Sequence, residues 1–129
     1  MLELQNYLNK LWTCVIEDHD IDLFNQFIFF NLKAVCRGEI TYHSLKFKNV
    51  KSFYYLNGQD LYEPETDDYL ELTSVSYLDE KVGVIANYGL EADLYRHTKA
   101  NFMIEIWNRE IFIESSLVEV DGISFEIKS

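Results

Sequence analysis

In residues 102–107 and 123–128 apolar side chains recur at every second position, on either side of a returning apolar segment and two short turns. Phe102, Ile104 and Ile106 alternate with Met103, Glu105 and Trp107, and Asn108-Arg109 then reads as a reversal. Ile111 to Val120 returns, Asp121-Gly122 makes a second tight turn, and Ile123, Phe125 and Ile127 alternate with Ser124, Glu126 and Lys128. A period of two puts one set of side chains on one face of a strand, where it can be buried. Strands joined by connections this short pair antiparallel, because a parallel pair needs a crossover of a dozen or more residues. This third of the chain is therefore predicted to be a three-stranded antiparallel meander.

The remainder extends that pattern. Leu4, Leu8, Leu11, Trp12 and Val15 recur at helical spacing and predict a short amphipathic helix over residues 2–11. Trp12 to Ile16 is β-branched and aromatic enough to begin a strand. Phe27 to Cys36 is almost wholly apolar and predicts a strand buried on much of both faces, closed by a turn at Arg37-Gly38. Ile40 to Phe47 and Val50 to Leu56 read as two further strands, the second ending at Asn57-Gly58, a pair suited to positive φ. Leu70 to Leu78 and Val82 to Tyr88 read as strands around a turn at Asp79-Glu80-Lys81, and residues 90–99 as a short helix or an irregular excursion. No repeat, low-complexity tract or Gly/Ser linker interrupts the chain. The expected fold is mainly β: one domain over residues 1–129, an antiparallel meander sheet curled into a sandwich or open barrel, with a short N-terminal helix.

Charge narrows the range of partners. The 129 residues carry 11 basic and 22 acidic side chains, a net of −11. The excess lies in the second half, densest at Asp60, Glu63, Glu65, Asp67, Asp68 and Glu71, a stretch without a base that holds the only proline, Pro64. That stretch is expected to be a solvated loop and the partner-binding surface. A field of this sign repels nucleic acid and favours a basic protein partner. The first residues lack the basic start and apolar core of a secretory leader, and no apolar run is long enough to span a bilayer. A cytoplasmic location without membrane attachment is the corresponding expectation. The two cysteines, Cys14 and Cys36, lie in apolar stretches and are expected to be reduced core thiols.

Motifs for chemistry are sparse. Asp18, Asp20 and Asp22 match the opening of a calcium loop, but Leu23 and Phe29 stand where that loop needs Gly and Glu. An exposed strand end or turn fits these aspartates better than a metal site. His19, His43 and His97 have neither zinc spacing nor a Cys-x-x-Cys partner. The five glycines form no phosphate-binding loop, and no Gly-x-Ser-x-Gly elbow is present. Lys46, Lys48 and Lys51, with Phe47, Phe53, Tyr54 and Tyr55, superficially suit a nucleic-acid surface, but three lysines are few phosphate contacts. No catalytic residue, metal or cofactor is assigned, and the chain is expected not to be an enzyme. The alternative is a small-ligand-binding barrel, or an enzyme built on one, with polar groups from Tyr42, His43 or Trp107 ringing an apolar pocket.

Two stretches carry a family resemblance. They are Leu45-Lys46-Phe47-Lys48-Asn49-Val50-Lys51-Ser52-Phe53-Tyr54-Tyr55, and Asn101 to Trp107 followed by Phe112-Ile113-Glu114 and Val120-Asp121-Gly122. Together they resemble the YxiG-like group of small Gram-positive bacterial proteins. The resemblance supplies no catalytic residues. It implies a protein-binding role, in its sharpest form an immunity protein whose acidic surface masks a basic toxin.

Overall fold

The computed structural model describes residues 2–56, 70–78, 99–107 and 109–127. Among these, helix α1 (Leu2–Asn9) precedes seven strands: β1 (Cys14–Asp22), β2 (Phe27–Cys36), β3 (Glu39–Leu56), β4 (Leu70–Tyr77), β5 (Phe102–Ile106), β6 (Arg109–Val120) and β7 (Ile123–Glu126). All pairings are antiparallel, in the order β3-β2-β1-β4-β5-β6, and β6 pairs back onto β3. That last ladder, from Leu45↔Val120 to Leu56↔Glu110, closes six strands into a barrel. β7 adds to the second half of β6, beyond the residues that pair with β5.

The turns obey local chemistry. Arg37 and Gly38 take φ of 52° and 82°, and Asp121 and Gly122 take 51° and 86°. Paired positive φ values are the mirror-image turn whose twist matches a two-residue hairpin. At the β5–β6 reversal Trp107 takes φ of 54°, while Arg109, expected in the turn, is already the first residue of β6 opposite Ile106.

One expected break is absent. The segments 40–47 and 50–56 are not two strands but one strand of 18 residues, β3. Asn49 bends it in the left-handed region, φ 54°, and Lys51 is an extra residue between Val50↔Ser115 and Ser52↔Glu114. A bulge re-aims side chains without ending the ladder. Ser115 secures the bend: its buried hydroxyl donates to the Lys48 carbonyl at 2.6 Å, and Asn101 brackets its backbone at 2.8 and 3.1 Å.

β2 differs from expectation too. Ile28, Phe30 and Leu32 are buried, but Asn31 and Val35 on the other face are exposed, so the strand is covered mainly on one side. A barrel core takes the inner face of a strand, and among the described residues no second layer covers the outer face of β2. β6 is the strand covered on both faces. Ile111 and Ile113 point into the barrel core, whereas Phe112 packs outside it with Ala100, Tyr54 and Met103.

Helix α1 lies across one end of the barrel. Leu4 and Leu8 enter the core from one face of α1, and Leu11 follows them from the turn after it. Gln5 accepts from the Tyr77 N–H at 2.8 Å and donates to the Val75 carbonyl at 3.2 Å. Trp12 donates to that same carbonyl at 2.9 Å, and the Tyr7 ring meets Phe125 at 5.4 Å. This end is filled, with Phe102 against Phe47 and Tyr77 at 5.0 and 5.4 Å. The expected turns at 57–58 and 79–81, the strand at 82–88 and nearly all of the helix at 90–99 lie outside the described residues.

Candidate functional site

At the end of the barrel opposite α1, β1 runs on beyond its described pairing with β4, while β2 stays paired with β3. β1 pairs with β4 only through Cys14, Val15 and Ile16. Past Ile16 the β1 edge has no strand partner on that side among the described residues, and Glu17 is an extra residue relative to β2. The bulge sets the faces. His19 stands opposite Phe30 and Ile21 opposite Ile28, toward the interior; Asp18, Asp20 and Asp22 stand opposite Asn31, Phe29 and Phe27, on the outer face.

The tip of this hairpin is built with some care. Asp22 accepts from the Asn25 backbone N–H at 3.1 Å and from the Asn25 side chain at 2.8 Å. The side-chain bond from Asn25, then the backbone bond, hold the Asp22 carboxyl below the usual aspartate range. Gln26 takes φ of 55°, and its carbonyl accepts from the Val50 N–H at 2.9 Å, fastening the turn to β3. On this fastened turn stand Leu23 and Phe24, 75% and 94% exposed. Beside them a groove of about 440 Å³ runs between the tip and β3, lined by Asp22, Leu23, Gln26, Phe27, Lys51 and Tyr54 among others.

A separate cavity of about 390 Å³ occupies the mouth of the barrel. Its walls are Ile16, Ile28, Phe30, Phe53, Leu70, Ile106 and Ile111, and its polar groups are His19, Asp20, Tyr55 and Arg109. The ladders place Tyr55 opposite Ile111 and Arg109 opposite Ile106, so both share the inner face with the apolar wall.

The residues expected to ring a pocket do not meet. Tyr42 and His43 line a shallow groove of about 540 Å³ with Glu17, Asn31, Ser44 and Asp121, whereas Trp107 follows β5 and packs against the core. A pocket exists, but other residues form it. His43 bonds Asp121 at 2.9 Å and the Thr41 hydroxyl at 3.0 Å. This is the hydrogen-bond order of a nucleophile relay. Here Asp121 also accepts from the Ser44 N–H at 2.9 Å and donates its own N–H to the Ser44 carbonyl at 3.0 Å, so the cluster anchors the β6–β7 turn to β3.

Of the expected acidic surface, Asp60, Glu63, Glu65, Asp67 and Asp68 lie outside the described residues. Glu71 is not on a loop: it sits half-buried in β4 opposite Val15. No group of His, Cys, Asp and Glu suited to a metal ion occurs among the described residues. Asp18 and Asp20 are instead exposed along β1, and Glu17 meets Lys33 at 3.7 Å. The lysine patch is partly neutralised, because Lys48 pairs with Glu119 at 3.0 Å.

Both cysteines are free, but only Cys14 is buried. Burial, and then the charge of Asp121, push its thiol up, away from the reactive thiolate. Cys36, expected in the core, is exposed because it is the last residue of β2, where the barrel wall ends. No described helix is long and apolar enough to cross a membrane.

Reading residues 18–29 only against a calcium loop missed the tip. The usable signal was a Leu-Phe pair between Asp22 and Asn25, two large apolar side chains inside a turn. Comparison with curated proteins finds no match. The model of the YxiG-like protein family matches residues 4–125, which takes in most of α1 and all six barrel strands. By that match the chain belongs to the YxiG-like family.

Proposed function

We propose that this protein is a binding module that engages a basic protein partner through the tip of the β1–β2 hairpin, and that it binds rather than catalyses. The observation that carries this reading is Phe24, 94% exposed on a turn held by Asp22, Asn25 and Gln26. A large apolar side chain fixed in solvent contributes little to folding. On a pre-ordered turn it gives up little entropy when a partner's pocket covers it. Aromatic anchors of this kind are enriched among residues that dominate binding energy. The acidic face of β1 beside it, Asp18, Asp20 and Asp22, supplies the electrostatic half. It speeds encounter with a basic surface and repels anionic bilayers and nucleic acid. An immunity protein that masks a basic toxin is the sharpest form of this reading.

The test uses the purified chain against any basic, toxin-like protein that a neighbouring gene encodes; if no neighbouring gene encodes one, the immunity form of the reading fails. Binding is measured by calorimetry at two salt concentrations, with Leu23→Ser and Phe24→Ser variants. The expected result is a saturable complex whose affinity falls about tenfold or more in Phe24→Ser, consistent with a hot-spot loss above ~1.4 kcal/mol. Association should also slow with salt. Unchanged affinity in the Leu23→Ser, Phe24→Ser double variant, or sedimentation of the chain with liposomes through these two residues, overturns the reading.

A further inference from the structure

The groove beside the hairpin tip has a strand edge for one wall. β2 pairs with β3 no further than Ile28↔Phe47, and the turn adds one bond, from the Val50 N–H to the Gln26 carbonyl at 2.9 Å. Beyond it β3 runs on to Leu56 with β6 as its strand partner among the described residues. We infer that this edge takes an extended segment of the partner's chain as an added strand, hydrogen-bonded to the backbone of Phe53 and Tyr55. The inference rests on the binding role proposed for the hairpin tip and specifies how the partner lies beside it.

Register decides which backbone groups are free. Asn101 donates its N–H to the Ile113 carbonyl at 2.9 Å, so the peptide groups of Ile113 point away from β3. Opposite residues in an antiparallel ladder either exchange both bonds or turn both outward. Ile113 stands opposite Phe53, so the N–H and C=O of Phe53 turn outward, to the groove that Phe53 lines. Tyr55, opposite Ile111, follows two residues on, and the period of two turns it the same way. These groups have no hydrogen-bond partner among the described residues. Such a row is a template for another chain, because an extended backbone presents matching donors and acceptors at that spacing. The groove of about 440 Å³ leaves room along this wall.

The side chains on either face set what the segment carries. Phe53 and Tyr55 belong to the apolar mouth of the barrel with Ile28 and Ile111, whereas Ser52 bonds Glu114 at 2.9 Å and Tyr54 packs on Phe112 outside it. An added strand alternates in the same way, with apolar side chains over the mouth and polar ones outside. Asp22 lines the groove, and Asp18 and Asp20 share its outer face of the hairpin, so basic side chains suit the polar positions near the tip. Lys51 lines the groove at the bulge, an end better suited to a neutral side chain.

Two NMR measurements on the full chain test this. In the free protein, the amides of Ser52 and Tyr54, which face β6, are expected to be protected from hydrogen exchange, and those of Phe53 and Tyr55 to exchange about tenfold or more faster. The second measurement titrates in a capped peptide that alternates lysine and valine, the same peptide N-methylated at every lysine, another N-methylated at every valine, and one with aspartate for lysine. The first peptide is expected to shift the Phe53 and Tyr55 amides saturably. One N-methylated peptide should bind about tenfold or more weakly and the other should bind as before, because only alternate residues of an added strand bond to β3. The aspartate peptide should bind more weakly than the lysine one. Tyr55→Pro removes a donor from the open edge and no bond to β6, and should weaken the peptide. If Tyr55→Pro does not fold, the N-methylated pair decides. Equal protection of Phe53 and Ser52 in the free chain, no saturable shift, equal binding of the two N-methylated peptides, or a preference for the aspartate peptide overturns the inference. A partner complex weakened by Phe24→Ser but not by Tyr55→Pro removes the added strand and leaves the tip standing; register-dependent peptide binding with partner affinity unchanged in Phe24→Ser removes the tip alone.

Discussion

Replacing Phe24 with Ala, set beside Phe102→Ala, separates a side chain displayed for binding from one needed for folding. Fully burying a phenylalanine contributes about 1.5–3 kcal/mol. Phe24 is 94% exposed, so its share of that burial is about 0.2 kcal/mol at most. Phe102 is fully buried and touches the rings of Phe47 and Tyr77. Its truncation removes the same atoms but leaves a cavity, at a cost of about 3–5 kcal/mol. Equilibrium urea unfolding followed by tryptophan fluorescence measures both. Phe24→Ala should leave the midpoint and slope within error of the parent, whereas Phe102→Ala should lower the urea midpoint by about 1 M or more. If Phe24→Ala costs more than about 1 kcal/mol, the side chain packs in the folded protein and is not held in reserve for a partner. The case for the hairpin tip would then fail before any partner was tried.

Ser115→Ala should destabilise the fold by about 1–3 kcal/mol, because it leaves the Lys48 carbonyl without its buried donor at the β3 bend; urea unfolding checks this. At Arg37 the left-handed φ of 52° strains an ordinary side chain, and Arg37→Asn should stabilise by about 0.5–1 kcal/mol in the same assay. The Asn25 bonds lower the Asp22 pKa, so their contribution is present in full above the unfolded aspartate value of about 3.9 and is lost as pH falls through the lower folded value. The protection factor of the Asn25 amide, corrected for intrinsic exchange, should therefore fall only in that acid range, and Asp22→Asn should remove that loss; a protection factor that drops near neutrality would contradict the assignment.

The sequence by itself determined the class of fold. Two-residue alternation and two-residue turns such as Asp121-Gly122 are local properties, set by which side of a pleat each side chain must occupy. The leucine spacing of α1 belongs to the same category. Barrel closure is different, because it depends on β3 reaching β6 across about half the chain, and no local pattern encodes that pairing. The long β3 was read as two strands because the disruption around Asn49 and Lys51 resembles a break in sequence; only the continuous ladder to β6 shows that it is a bend. The site was hidden for the same reason. Whether His19 and Tyr55 face inward depends on the extra residues Glu17 and Lys51, since a bulge reverses every alternation after it. Residue types announce a sheet, but the register, fixed only by partners distant in sequence, decides which side chains converge at the mouth of the barrel.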